Sequence, residues 1–323
     1  MGLSEPQLDL LSELRIGSKS SERVMTFKQS PPGFRNVRGP ILQRIQRQLN
    51  QAGFDAGTVD GVWGNQTMSA LKAWQLSKGL AQTGNVDDQT WQGLMAVPQP
   101  DILERSLQLT ADWEGTGYGG TNGNFDGQGI TWGLLGFTWA NGELQTILSE
   151  IRADHPAVFS AAFGGLAHEI VRILGLSRPD QMAFAREISI QAGEKIRPEW
   201  AACFKALGDT VEVQQIENRI AKDRYWQAAL NLIGEFGLKS ERAKALCFDI
   251  VVQISVTGQM KAEIHNRSDG KSENVKMKGL AEVVADHAKA EYRHDVLTRK
   301  MTFVDGQGDV HGDKYDITCW GIG

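Results

Sequence analysis

The pattern of hydrophobic positions divides the chain into a short helical region and a longer one. From residue 41, apolar side chains recur at spacings of three and four, which predicts an amphipathic helix that ends at Gly53. Two more short helices are predicted, one from Thr67 to Lys78 and one around Trp91. Prolines in the segment 98–100 interrupt the pattern before a new helical period begins. The chain therefore reads as mainly helical.

These interruptions predict three parts of the chain. Residues 1–34 show no clear period and are interpreted as a leader or linker, residues 35–96 as a three-helix domain, and residues 97–323 as a larger second domain. The three-helix region contains a weak repeat, because "GVWGNQTMSAL" from Gly61 and "GNVDDQTWQGL" from Gly84 share Gly, Gln-Thr and Leu in register. We expect the Thr of each copy to cap a short helix.

Candidate chemistry lies in one stretch, "ADWEGTGYGGTNGNFDGQGITWGLLGF". Glu114 ends an apolar helical stripe, so we expect apolar neighbours to raise its pKa, as a general acid requires. Asp126 lies in a glycine-rich turn before "ITWGLLGF", which is predicted to be a strand of a hairpin, and we expect Asp126 to stay ionised. Two carboxyl groups in opposed environments are what glycoside hydrolysis needs, although an ordinary turn acid remains the alternative for Asp126. Asp112, on the other side of the helix, is interpreted as structural.

Other kinds of site fit this stretch less well. A calcium loop needs acids at alternating positions and a glutamate twelve residues along, and that ladder is missing here. The glycines do not follow a strand and open a helix, so the dinucleotide-binding fingerprint does not apply. No His or Cys cluster has metal-ligand spacing, so we expect neither a metal nor a cofactor.

Charge and cysteine content restrict the partners and the compartment. The net charge is −5, and the excess of acids lies beyond residue 95, so a nucleic-acid partner is not expected. Three widely spaced cysteines argue against a disulfide framework and favour folding in a reducing compartment. The N-terminus has acids where a signal peptide has bases, and no run approaches the ~20 apolar residues of a membrane span. We expect a protein made in the cytoplasm, without a signal peptide or membrane insertion.

Residues 41–95 resemble a known binding module. Their glycines, helix caps and aromatic residues fall in the register of the peptidoglycan-binding domain found beside many wall-degrading enzymes. The resemblance implies bacterial peptidoglycan as a partner. Trp74 and Trp91 are expected in the core, whereas Trp63, in a loop, is the candidate for stacking on a sugar.

A helix that ends in Glu, followed by "DGQGITWGLLGF", resembles the chitosanase-type branch of the lysozyme superfamily. The resemblance implies that Glu114 is the general acid, Asp126 the general base, and Thr131 the residue that positions the attacking water. Gln128 stands where the family commonly has Arg, and together with Tyr118 it is interpreted as a substrate contact. The loop between the two acids is shorter than in the family, so inversion or retention of the anomeric centre stays open. A weaker likeness extends over residues 103–318 and predicts bracing ion pairs among Asp223, Arg224, Asp249 and Arg299.

Together these observations predict a mainly α, lysozyme-like fold of two lobes with a small β-hairpin sheet beside the cleft. The predicted function is hydrolysis of β-1,4 glycosidic bonds in peptidoglycan, as in a muramidase-type lysin. A chitosanase, a lytic transglycosylase and a non-catalytic wall-binding factor remain alternatives. The protein would reach the cell wall after release or delivery, either as a phage endolysin or as a secreted effector. The sequence leaves that choice, the host and the oligomeric state open.

Overall fold

The structure is a computed structural model that describes residues 25–115 and 117–323. The N-terminal segment, on which the expected lack of a signal peptide depends, lies outside the described residues. Within the described residues the chain is mainly helical, with small antiparallel sheets, as the sequence predicts.

Three helices form the front domain: α1 Pro40–Gln51, α2 Asn65–Ser77 and α3 Asp88–Leu94. Trp74 and Trp91 are buried between them, as predicted. Trp63 is also fully buried, so the prediction that its ring stacks on sugar is wrong. Its backbone N–H donates to the carbonyl of Val37, and this contact draws the loop before α2 onto the core.

Two buried glutamines explain the repeat inside this domain. Gln46 accepts a hydrogen bond from the Gly61 N–H at 2.7 Å and donates to the Thr67 hydroxyl at 3.2 Å. In the second copy, one further glutamine, Gln75, makes the same bonds at 2.9 Å and 3.1 Å, to the equivalent glycine and threonine of that copy. The threonines therefore hold the loops to buried glutamines and are not helix caps, because each is the third residue of its helix.

Helices also make up most of the second domain. In chain order they are α4 Ile102–Glu114, α5 Glu143–Asp154, α6 Pro156–Phe163, α7 Ala167–Leu174, α8 Arg178–Ile188, α9 Pro198–Gly208, α10 Val211–Ala221, α11 Gln227–Phe236, α12 Glu241–Gln253, α13 Gly258–Ser268, α14 Glu273–Asp286 and α15 Arg293–Asp305. A π-helical turn joins α10 to α11. Helix α12 is central, because α4, α11 and α15 all pack against it.

Short strands supply the sheets of the second domain. They are β1 Thr121–Asn122, β2 Thr131–Trp132, β3 Phe137–Thr138, β4 Ser189–Ile190, β5 Lys195–Ile196, β6 Gln307–Val310 and β7 Asp313–Asp316. The run 130–137, predicted as one strand of a hairpin, instead contains the β2–β3 hairpin itself, and each of its strands has only two residues. Gly133 and Gly136 have φ values of +84° and +65°, so the turn takes up the middle of the apolar run.

Among the described residues one segment of the second domain, Pro156–Leu174, is long and apolar enough to cross a membrane by length and composition alone, contrary to the expectation that no run approaches such a length. A 3₁₀ turn at Gly164–Leu166 divides it into α6 and α7. Only 22% of the segment is buried, and the buried side chains, such as Phe159, Phe163 and Ile173, lie on the core-facing side of the two helices. We interpret it as a pair of helices packed on the core.

The front domain packs directly against the second domain. Phe27 is fully buried and forms backbone bridges to Val86 in the front domain and to Trp320 near the C-terminus. The segment 25–34, interpreted from the sequence as linker, therefore contributes to the core between the domains. Its prolines and lack of period did not reveal a residue that pairs on both sides.

Asp112 joins the two domains at helix α4. Its carboxylate accepts a hydrogen bond from the Tyr315 hydroxyl at 2.6 Å. The same carboxylate lies 3.4 Å from Nε of Arg35 and 3.5 Å from Nε of Arg38, both from the front domain. The structural role predicted for Asp112 is confirmed.

Candidate active site

Glu114 lies at the end of helix α4. The helix stops there because Gly115 takes a left-handed conformation, with φ +77°. The Glu114 side chain is 34% exposed, and its Oε1 accepts a hydrogen bond from Nη2 of Arg299 at 2.7 Å. Its closest polar neighbour is therefore a buried guanidinium, and the prediction of an apolar environment for this carboxyl group is wrong. A helical stripe ends with its helix, so apolar packing does not continue around the last residue.

A buried ionic cluster holds Arg299 in place. Asp249 on α12 is fully buried and binds Arg299 at 2.7 Å and the ammonium of Lys300, both on α15. Burial alone would raise the pKa of Asp249, but the charges and hydrogen bonds of the two cations outweigh it and lower this pKa to about 2. Burial lowers the pKa of Lys300 to about 8, against the opposing charge of Asp249. The cluster thus fixes the guanidinium that contacts Glu114.

The ion pairs predicted from the sequence are partly present. Asp249 and Arg299 form the expected pair. Arg224 instead pairs with Glu143 on α5, and Asp223 lies 3.6 Å from Arg219 within its own helical segment.

Asp126 lies in the connection between β1 and β2 and is exposed. Its Oδ1 accepts a hydrogen bond from the Gln128 backbone N–H at 3.0 Å, which shapes the turn. Gly127 and Gly129 on either side have φ values of +80° and +83°. The structure thus has the glycine-lined turn predicted from the sequence, and Asp126 is exposed in it. Thr131 follows in β2, half-buried between Asn122 and Thr138 of the neighbouring strands; its role toward water stays a prediction.

The two predicted substrate contacts differ in accessibility. Tyr118 is only 8% exposed, and its hydroxyl donates to Asn218 Oδ1 at 2.6 Å. It lines an open cavity of about 440 Å³ between the two domains, and its contact with substrate stays a prediction. The Gln128 side chain is exposed, and its contact with substrate stays a prediction.

Glu217 on α10 is not among the site residues predicted from the sequence. It is fully buried, and its Oε2 accepts a hydrogen bond from the Leu134 backbone N–H at 2.7 Å. A Cβ atom at Gly133 would lie 2.6 Å from this carboxyl group, and the φ of +84° at Gly133 also favours glycine there. Glu217 therefore holds the β2–β3 turn that follows Thr131. A glutamate among the buried residues of an amphipathic helix was the signal that could have revealed it.

We expect Glu217→Gln to stabilise the protein at neutral and higher pH. Burial raises the pKa of Glu217 well above its ordinary value of 4.5, and the Leu134 N–H only partly opposes this. Because the folded protein then holds a proton that the unfolded chain releases, stability falls as pH rises above about 4.5, by up to about 1.4 kcal/mol per pH unit. The neutral glutamine removes that loss. Urea unfolding between pH 5 and pH 8 measures it.

The matched control is Glu187→Gln, at an exposed position. It should leave the pH dependence of the free energy of unfolding as in the wild type. A Glu217→Gln protein that is less stable than the wild type at every pH would show that the buried group is needed as a carboxylate.

Comparisons with known proteins find one family match and several structural similarities. Residues 38–94 match the family model described as "Putative peptidoglycan binding domain". A native chitosanase from Bacillus subtilis MY002 is similar in structure over 68% of this chain and 99% of its own, with 17% identity and a TM-score of 0.45. A GH46 chitosanase from Gynuella sunshinyii, in complex with chitotetraose, is similar over 68% of this chain and 98% of its own, with 15% identity and a TM-score of 0.45. Residues 38–94 thus match the peptidoglycan-binding family, and 68% of the chain is similar in structure to each of these chitosanases.

Proposed function

We propose that this protein is a muramidase-type glycoside hydrolase that cleaves β-1,4 bonds in bacterial peptidoglycan. The observation that carries the proposal is the packing of a peptidoglycan-binding domain directly on the helix that ends in Glu114. Arg35 and Arg38 of the front domain contact Asp112, two residues before Glu114. Binding of the wall by the front domain would therefore raise the local concentration of glycan at the carboxyl groups. On this proposal the protein acts on the wall after release or delivery.

The proposed mechanism uses the two acids in separate roles. Glu114 gives its proton to the glycosidic oxygen as the bond to the anomeric carbon breaks, and the leaving sugar takes the bond's electron pair. Asp126 removes a proton from a water molecule, which Thr131 helps to hold, and that water forms the new bond to the anomeric carbon. Arg299 holds the Glu114 carboxylate that remains after proton transfer.

The products of purified peptidoglycan test the proposal. Mass spectrometry of soluble fragments from the wild type should find muramic acid at reducing ends, and Asp126→Asn should lose these products because no base activates the water. Asp154→Asn, at an exposed position at the end of α5, is the matched control and should behave as the wild type. Anhydro-muramic products that survive in Asp126→Asn would mean that Glu114 acts alone, as in a lytic transglycosylase. Wall binding without any soluble product would indicate a non-catalytic factor.

A chitosanase activity is the second candidate. The acid excess of the second domain favours a cationic polymer, and the "DGQGITWGLLGF" stretch carries the resemblance to that family. The same assay with chitosan as substrate separates the two candidates. Cleavage of chitosan with intact peptidoglycan would replace the muramidase proposal by this one.

A further inference from the structure

We propose that Phe125 is the aromatic platform on which a pyranose ring of the substrate stacks, immediately beside the base Asp126. The inference rests on the proposed function and adds a substrate-binding residue to it. The Phe125 side chain is 59% exposed, whereas the rings predicted from the sequence for this role, Trp63 and Tyr118, are buried. The loop therefore presents an apolar ring to solvent at the position where the glycan must approach.

Exposure alone would not distinguish Phe125, because single exposed apolar residues are common on protein surfaces. Its backbone, however, is held on both sides. The preceding Asn124 receives a hydrogen bond on Oδ1 from the Gly129 N–H at 2.8 Å, and its own N–H donates to the Ser189 hydroxyl at 2.9 Å. A Cβ atom at Gly193 would lie 2.7 Å from the Phe125 nitrogen, so the β4–β5 hairpin contacts the loop backbone closely. The exposed ring thus stands on a fixed support.

This support matters for binding. A ligand that stacks on a ring with a fixed backbone must order only the two side-chain torsions of Phe125, so little conformational entropy is lost. One face of a pyranose ring presents C–H groups, and burying them against a phenyl ring removes apolar surface from water. Binding would remove from water the apolar surface that the Phe125 ring exposes in the free protein.

The position of the ring matches the proposed chemistry. The Cα atoms of Phe125 and Asp126 are neighbours across a trans peptide, about 3.8 Å apart. Both side chains are exposed on the connection between β1 and β2, so on this proposal a polymer with one sugar at Asp126 places that sugar or its neighbour on the Phe125 ring. Stacking depends on the ring face and not on the amide or lactyl substituents, so Phe125 selects for a sugar polymer and not for one substituent.

The test compares Phe125→Ala and Phe125→Trp with Tyr292→Ala, whose ring is 56% exposed and lies in the segment before α15. Reducing-end release from soluble, uncrosslinked glycan strands gives kcat and KM. Calorimetric titration of the same strands gives Kd in proteins that also carry Glu114→Gln. Phe125→Ala should raise KM and Kd about tenfold, which corresponds to about 1.4 kcal/mol. Its kcat and melting temperature should stay near the wild-type values. Phe125→Trp and Tyr292→Ala should match the wild type.

Other outcomes overturn the inference. An unchanged Kd in Phe125→Ala would show that no sugar stacks there, and a lowered melting temperature would assign the ring to the fold. A fall in kcat with unchanged KM would exclude a role of the Phe125 ring in substrate binding. If the wild type binds the strands but releases no reducing ends, the proposed function fails while the Kd comparison still decides the role of Phe125. If neither peptidoglycan strands nor chitosan oligosaccharides bind the wild type, the platform is excluded.

Discussion

Glu114→Gln is expected to lower the rate of glycan hydrolysis by about 10²–10⁴-fold, the usual contribution of a positioned general acid. The glutamine side chain has the same shape, and its carboxamide oxygen can still accept the hydrogen bond from Arg299 that Glu114 receives at 2.7 Å. It cannot give a proton to the leaving oxygen. Because the native side chain is 34% exposed, the substitution should have little effect on folding. Initial rates of reducing-end release, with circular dichroism of both proteins, measure the effect.

Glu291→Gln, at an exposed position before α15, controls for the removal of one carboxylate and should keep the wild-type rate. A wild-type rate in Glu114→Gln would remove Glu114 from the mechanism. A lower rate accompanied by a lower melting temperature would mean that the contact between Glu114 and Arg299 mainly stabilises the fold.

The sequence predicted those parts of the candidate site that local rules determine. Helix periodicity and Gly115 are enough to place Glu114 at a helix end, because a left-handed glycine stops a helix wherever it occurs. The glycines around Asp126 likewise predict a solvated turn, since their positive φ values need no distant contact. Hydrophobic pattern also predicted the mainly helical fold.

The predictions that were wrong concern features that depend on contacts between residues far apart in the sequence. Arg299 reaches Glu114 from 185 positions away, so the sequence showed an apolar stripe where the structure has an ion pair. The burial of Trp63 depends on Val37, which pulls its loop inward, and that of Tyr118 on packing beside α10. The residues next to these rings in the sequence do not predict such contacts.

The packing of the front domain on the second domain was also missed, because it too depends on contacts between distant residues. Composition predicted a boundary at the prolines after α3, and a boundary suggests domains that move independently. The structure instead threads Phe27 between the domains and places Asp112 on two arginines of the front domain. The two domains therefore share one hydrophobic core.

Asp249→Asn is expected to cost about 3–5 kcal/mol of unfolding free energy, because it leaves two buried cations without their anion. Arg299 and Lys300 are almost completely buried, and the remaining carboxylate near them, that of Glu114, is partly exposed. Hydrolysis should also fall, since Arg299 would no longer be held in position for Glu114. Urea unfolding at pH 7 gives the free energy. Asp305→Asn, exposed at the end of α15, is the matched control and should change it little.

A second substitution identifies the cause. Lys300→Met in the Asp249→Asn protein removes one of the two unpaired cations and should recover part of the lost stability. Lys300→Met alone should cost much less than Asp249→Asn, because the pair between Asp249 and Arg299 stays balanced. If Lys300→Met fails to recover any stability, the loss in Asp249→Asn arises from hydrogen bonds and not from charge.

The loss of unfolding free energy in Asp249→Asn should also depend on pH. Burial holds the pKa of Lys300 at about 8, below its unfolded value of 10.5, and Asp249 opposes this; without Asp249 the pKa falls further. In the folded variant Lys300 therefore loses its proton at a lower pH than in the folded wild type, while the unfolded chain still holds it. The free energy of unfolding of the variant then begins to rise at a lower pH than that of the wild type. The deficit of Asp249→Asn should therefore be smaller at pH 8 than at pH 6. An equal deficit at both pH values would mean that Lys300 keeps its proton, with Glu114 and Gln253 sufficient to hold the buried ammonium in place of Asp249.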